Sequence, residues 1–236
     1  MITMVGQNVL VIGGTSGIGE AVANLAATLG ATVAIASRNA KASAGRPADI
    51  RLFDVDIGDR KSVEALFAQL GSLDHVCLTA GPSALTGEFT DIDAGTALTH
   101  FNERFWAAFH VAQLAARKLI SHGSLTFIIG ALSRRPIPGR AMTTAAQCAV
   151  EGLARGLAID LAPTRVNTIV AGLTDTAMWD RLDANARRSL FDDHARRAPA
   201  GRVGKPQDVA AMVIGAMTNP YVTGASLVVD GGSTVI

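Results

Sequence analysis

The chain is poor in the residues that most often carry proton chemistry. Its 236 residues include one tyrosine, Tyr221, and only four lysines, Lys41, Lys61, Lys118 and Lys205. A mechanism that needs a phenol or an ammonium has few places to find one. Cysteine is scarce too: Cys77 and Cys148 stand far apart, with no Cys-x-x-Cys pair and no histidine spacing suited to zinc. That pattern reads as two reduced, buried thiols and no metal site. No apolar run is long enough to span a bilayer, and the first, Val9 to Ile12, follows almost at once without a leader. The expectation is a soluble, cytoplasmic protein with no membrane partner. An excess of one charge is also missing, with 21 Lys plus Arg against 20 Asp plus Glu. This balance argues against a chain built to coat nucleic acid and leaves small molecules or other protein chains as partners.

What the chain has in quantity is apolar sequence. Hydrophobic residues make up 49% and charged residues 17%, enough for a large core and too apolar for disorder. The length allows one large domain or two small ones. Short β-rich runs alternate with segments of helical period: strands are expected near Val9–Ile12, Thr32–Ala36, Ile50–Phe53, His75–Leu78, Ser124–Ile129, Arg165–Val170 and Ser226–Val229. Most are continuous apolar runs, the pattern of strands covered on both faces. Between the first two, Ile18, Ala21, Val22, Leu25, Ala26 and Leu29 fall on one helical face. With no linker or repeat, residues 1–236 read as a single doubly wound α/β (Rossmann) domain, a seven-stranded parallel sheet flanked by helices. Charge rises only between Asp180 and Arg202. That stretch is either a solvated helix pair or, over about residues 176–204, a lid beside a ligand crevice.

Directly after the first strand comes Gly13-Gly14-Thr15-Ser16-Gly17-Ile18-Gly19, and directly after that the amphipathic helix. Glycines permit a tight turn and close backbone approach, and a helix N-terminus offers free N–H groups to a pyrophosphate. In this position the turn points to a dinucleotide. Further motifs follow in order: Asp54-Val55, Thr79-Ala80-Gly81, Arg165-Val166-Asn167, Gly172-Leu173-Thr174-Asp175-Thr176, Gly201-Arg202-Val203-Gly204-Lys205-Pro206 and Val228-Val229-Asp230-Gly231-Gly232.

With these motifs the chain resembles the short-chain dehydrogenase/reductase family over its whole length. The resemblance implies cofactor contacts from Gly13, Thr15, Ser16, Gly17, Ile18 and Gly19 in the turn, and from Asp54 and Val55 to the adenine. Ala80 and Gly81 would lie against ribose, with Gly172, Thr174 and Thr176 toward the nicotinamide amide. Asp54 and Thr176 also have plainer readings as caps of the following loop and helix. Relatives selective for NAD carry an Asp where Ser37 stands. Here a hydroxyl is followed by Arg38, whose guanidinium suits a 2'-phosphate, so NADP(H) is expected over NAD(H).

The family's catalytic residues are a Ser, a Tyr four residues before a Lys, and an Asn on the preceding helix. In the same register this chain places Gly130, Thr143, Gln147 and Arg104. No Tyr precedes residue 221 and no Lys lies between 118 and 205, so no shift of alignment restores the pair. An alkyl hydroxyl is a far weaker acid than a phenol, whose reference pKa is about 10. Gln147 can hold a ribose but brings no charge. Ser133, with Arg134, Arg135 and Arg104, is the alternative source of polarity at the nicotinamide end, although Arg134 and Arg135 read equally as solvated loop charges. His110 sits on an apolar helical face as a core or interface residue, and His100 and His122 carry no motif. The resemblance also implies a homodimer or homotetramer paired through two long helices, here about Phe105–Ile120 and Thr144–Leu161. Two functions remain open: an oxidoreductase with a substituted site acting on an unknown small carbonyl or hydroxyl compound, and a non-catalytic NADP(H)-binding sensor or partner subunit.

Overall fold

A computed structural model describes residues 2–42 and 50–236. Seven strands, β1 (Asn8–Ile12), β2 (Thr32–Ser37), β3 (Arg51–Asp54), β4 (Leu73–Leu78), β5 (Leu119–Gly130), β6 (Arg165–Ala171) and β7 (Ser226–Val229), form one parallel sheet. Their order is β3-β2-β1-β4-β5-β6-β7. All seven overlap the runs read from the sequence, because continuous apolar strands must be covered on both faces. Alternation along β1 shows how. Leu10 and Ile12 join a core with Val111, Ala112, Val150 and Ala154, while Val9 and Val11 join one with Val22, Ala26, Val209 and Val213.

Helices α1 (Gly17–Thr28) and α7 (Pro206–Thr218) cover the second face. On the first lie α2 (Arg60–Ala68), α4 (Ala107–Ala115) and α5 (Ala141–Asp160), with α3 (Ala94–Phe101) packed against α5. Helix α6 (Ala184–Arg197) buries none of its residues. No helix among the described residues is long and apolar enough to cross a membrane.

The two long helices differ from expectation in one respect. The run Phe105–Ile120 is not one helix: α4 ends at Ala115, and Leu119 already pairs with Leu73 in the sheet. The Leu73 N–H donates to the Lys118 carbonyl, and Lys118 Nζ donates to Leu70 O, which turns the chain into β5 five residues early. At its other end α4 continues from α3 through a π turn, Asn102–Trp106. Such turns occur often at functional sites, and this one carries Arg104.

The Arg165-Val166-Asn167 motif acts through structure. Arg165 donates to the Ala216, Met217 and Val222 carbonyls at 2.6, 2.5 and 3.1 Å, closing the C-terminal end of α7. Asn167 bonds Val222 O and Ala225 N, which sets β7 in register.

Candidate active site

The strand order reverses between β1 and β4, and ligands of open α/β sheets lie in the crevice this opens at the carboxyl ends of the strands. The glycine turn forms one wall. Gly13 has φ +89°, and a Cβ there would lie 2.6 Å from the Ala80 nitrogen. Gly17 has φ +55° and faces Thr176, whose Cγ2 would be 3.0 Å from an added Cβ. A Cβ on Gly19 would run into the Gly13 carbonyl and come within 2.6 Å of Thr79 Oγ1. Each glycine is therefore required where it stands, the first two by conformation and the third by close approach. The Thr79 hydroxyl, shared between the Ile12 and Gly13 carbonyls (3.1 and 3.0 Å), fixes the turn to the end of β4. Ser16 precedes α1 with extended backbone and without a capping bond from its side chain, and Ile18 packs into the core behind the turn.

The opposite end of β2 completes this half. Thr15 Oγ1 donates to Ser37 Oγ at 3.1 Å, and the Val55 N–H bonds the Ser37 carbonyl. Arg38 is exposed beside them. Asp54 is exposed, and one of its oxygens accepts the Lys41 N–H at 3.0 Å, so it does tie the neighbouring loop. Thr176 stands before a short 3-10 turn, Ala177–Arg181, yet makes no capping bond with its side chain. Gly172 approaches Asp230 so closely that a Cβ would lie 2.6 Å from its Cα. Thr174 is buried and bonds Gly172 O at 3.0 Å.

The other wall, between β5 and α5, is built from side chains. Gly130 ends β5, and a Cβ there would meet the Gln147 amide, 3.0 Å from Nε2. Gln147 thus fills the volume that a serine at 130 would need. Its Oε1 is buried and has no hydrogen-bond partner. Thr143 is 1% exposed. Its hydroxyl accepts the Leu85 N–H at 2.9 Å and lies 3.3 Å from Leu85 O and 3.1 Å from His100 Nε2. Burial holds the His100 pKa below the usual imidazole value, helped by the nearby Arg104 cation and opposed by Glu103. The neutral ring can accept the Thr143 proton. Arg104 lies beneath Gly81, donates to Pro82 O at 2.8 Å and leaves Nε buried without a partner.

The remaining arginines are engaged elsewhere. Arg134 pairs with the buried carboxylate of Glu151, which also accepts the Ser226 hydroxyl at 2.7 Å. Arg135 donates to Ser233 O at 2.7 Å. Both are exposed loop charges, as one of the two readings expected, and neither joins Arg104. Ser133 is half-buried and donates to Gly130 O at 3.3 Å. His110 stacks near Trp106 and Phe109, with Nδ1 buried and unpartnered. Among the described residues, no cluster of His, Cys, Asp or Glu is placed to hold a metal.

Comparison with known proteins decides the family. Residues 12–234 match the family model described as Enoyl-(Acyl carrier protein) reductase. The chain is 34% identical to the short-chain dehydrogenase/reductase ATR9 of Stachybotrys chlorohalonatus, covering 99% of each. The chain belongs to the short-chain dehydrogenase/reductase family. A second member, the cyclic-di-GMP-binding biofilm dispersal mediator protein of Escherichia coli, is 32% identical over 96% of each chain. Among solved structures, a small-chain dehydrogenase in complex with NADPH is 33% identical, with TM-score 0.87 over 98% of this chain and 99% of that one.

Within this short-chain dehydrogenase/reductase fold, the glycine turn and Thr79-Ala80 meet at the carboxyl ends of β1 and β4, while Arg165 and Asn167 serve the structure elsewhere. The sequence reading did not reach His100 or Leu85. His100 lies 43 positions from Thr143 and belongs to no motif, so nothing local signals that the two meet.

Proposed function

We propose that the chain is an NADP(H)-dependent oxidoreductase acting on a small carbonyl or hydroxyl compound through a substituted catalytic site. The observation that carries this reading is the Gln147 amide, whose Oε1 is buried without a partner at the nicotinamide end of a glycine-built crevice. An acceptor left in that state costs about 1–3 kcal/mol, and a ribose hydroxyl would satisfy it. The rest of the crevice fits the same group. Gly13, Gly17 and Gly19 let the turn close tightly in front of α1, whose N-terminal N–H groups suit a pyrophosphate, and Thr15, Ser16 and Ile18 shape that turn. Ser37 and Arg38 stand where a 2'-phosphate would be read, Asp54 and Val55 beside the adenine, and Ala80 and Gly81 against ribose. Gly172, Thr174 and Thr176 face the nicotinamide side. The structure bound to NADPH among its relatives supports the same choice of cofactor.

When bound, the cofactor supplies or accepts hydride. The chain's part is to position the carbonyl and manage its proton. Arg104 brings positive charge toward that end, and Gln147 orients without charge. Thr143 is held by Leu85 and His100, so the proton is assigned to Ser133 or to a water beside it. Segment 176–204 serves as the lid, and the protein works in the cytoplasm as a homodimer or homotetramer.

The sealed Thr143 hydroxyl favours a second reading, a non-catalytic NADP(H)-binding sensor or partner subunit. The Escherichia coli relative is likewise named for what it binds. Two measurements separate the readings. NADPH should bind at least about tenfold tighter than NADH, a gap of about 1.4 kcal/mol, and Arg38→Ala should erase the difference. Equal affinities refute the cofactor choice. The unaltered chain should then consume NADPH with some members of a carbonyl panel and lose that turnover with Arg104→Ala or Ser133→Ala. Turnover confined to the triple variant Gly130→Ser, Thr143→Tyr, Gln147→Lys would establish the binding reading instead.

A further inference from the structure

Several arginines pair with carboxylates, among them Arg60, Arg134, Arg187 and Arg202, and the buried Arg165 is held by three carbonyls. Two arginines beside the crevice have neither arrangement. Arg104 reaches only the Pro82 carbonyl, and Arg140 only the Ala84 carbonyl, at 3.4 Å, and the Thr86 hydroxyl. Both are at least partly buried and grip the same short loop, Gly81 to Gly87, from its two sides. No carboxylate among the described residues forms an ion pair with either. Glu103, next to Arg104 in sequence, lines a shallow pocket on the outer side with Asn102, Trp106 and His110 and does not neutralise it. Burial alone lowers the Arg104 pKa, with no acid opposing it.

A guanidinium removed from water without a counter-charge is costly, and the cost falls once an anion arrives. The surroundings of Arg104 supply an address for that anion. The guanidinium lies 2.5 Å from where a Gly81 Cβ would be, and its Nε is buried and unpartnered. Gln147, where the family carries a lysine, is a buried neutral amide and brings no carboxylate to the site.

We propose that Arg104, seconded by Arg140, is the binding site for the carboxylate of an anionic substrate, so that the compounds taken are oxo acids or hydroxy acids rather than neutral ketones or alcohols. This rests on the reading of the crevice as an oxidoreductase site. Arg104 is the residue that holds the anion. Arg140 raises the local positive potential and fixes the loop that Arg104 also grips. A planar fork suits a carboxylate through charge-assisted bonds, which neutral carbonyl oxygens cannot match.

The test compares 2-oxobutyrate with its neutral counterpart 2-butanone at constant ionic strength, using two readouts. In the first, quenching of NADPH fluorescence in the ternary complex should give a Kd about tenfold or more lower for the acid. Arg104→Gln should abolish that preference, and Arg104→Lys should restore part of it. In the second, the acid but not the ketone should raise the thermal midpoint of the protein without cofactor, and the rise should disappear in Arg104→Gln. Equal affinities for the two probes, or a preference that survives Arg104→Gln, overturns the proposal. Should Arg104→Gln fail to fold, Arg140→Gln serves as the second variant, with a reduced preference expected and an unchanged one counting against the site. Failure of NADPH to bind at all would instead refute the oxidoreductase reading, and the cofactor-free readout would still decide the anion site.

Discussion

The two walls of the crevice are built on different principles. The wall from β1 and α1 is made of backbone: three glycines at fixed places, with the turn fastened to β4 by Thr79. The wall from β5 and α5 is made of side chains, with the Gln147 amide in place of a serine, Thr143 bonded to Leu85 and His100, and Arg104 under Gly81. A backbone wall tolerates no added atom. A side-chain wall can exchange one group for another as long as volume and hydrogen bonds are conserved. The glycine turn beside β1 is accordingly fixed residue by residue, while the wall by β5 and α5 is met by the particular side chains Gln147, Thr143 and Arg104.

The sharpest test of that contrast is Gly19→Ala. Its methyl would strike the Gly13 carbonyl, which cannot move without shifting the turn. NADPH affinity should fall about 100-fold or more, with a loss of stability of about 2–3 kcal/mol, read by fluorescence titration and urea unfolding. Near-normal binding would show that the turn is not rigid. On the other wall, Gly130→Ser meets only the end of a flexible side chain. It should cost about 1–2 kcal/mol, most of it recovered when Gln147→Ala is added. A double-mutant cycle reads the coupling, and additive effects would separate the two positions.

A smaller effect is expected for Thr143→Val, which keeps the shape and removes the hydroxyl. The Leu85 N–H then loses its acceptor, at about 1 kcal/mol, and amide exchange at residues 84–87 should accelerate while the turn at 13–19 is unchanged. The smallest effect comes from pH. His100 is held below the imidazole reference value by burial, so the unfolded chain takes up its proton first as pH falls. Its stabilising contribution is full above pH about 6.5 and declines as the medium is acidified below that value. Exchange at Leu85 should rise in the same range in the unaltered protein and not in His100→Gln.

The same division governs how much could be read from sequence. The strands were legible because burial on both faces leaves continuous apolar runs such as Val9–Ile12. The glycine turn was legible because its geometry admits no other residue at Gly13 or Gly19. The loss of Tyr and Lys was legible from counting alone. What replaced them was not. Gln147 filling the space beside Gly130, His100 meeting Thr143, and Glu151 drawing Arg134 away from the crevice are contacts between distant segments, and no periodicity records them. The early end of α4 was hidden for a similar reason, since the Leu73–Lys118 bond that stops it belongs to the sheet.

The buried Glu151 carboxylate has a consequence for the order in which the molecule is made. Its partners come from the loop after β5, through Arg134, and from β7, through Ser226. Strand β7 follows every other described element in the chain. Until it docks, α5 carries an acid that lacks one of its donors, and Arg135 lacks the Ser233 carbonyl. The glycine turn bonds to β1, β2 and β4, all of which precede residue 79, although α1 behind it packs on α7. The turn's own hydrogen bonds can therefore form before β7 is made, while the wall from β5 and α5 keeps an incompletely bonded carboxylate until β7 docks.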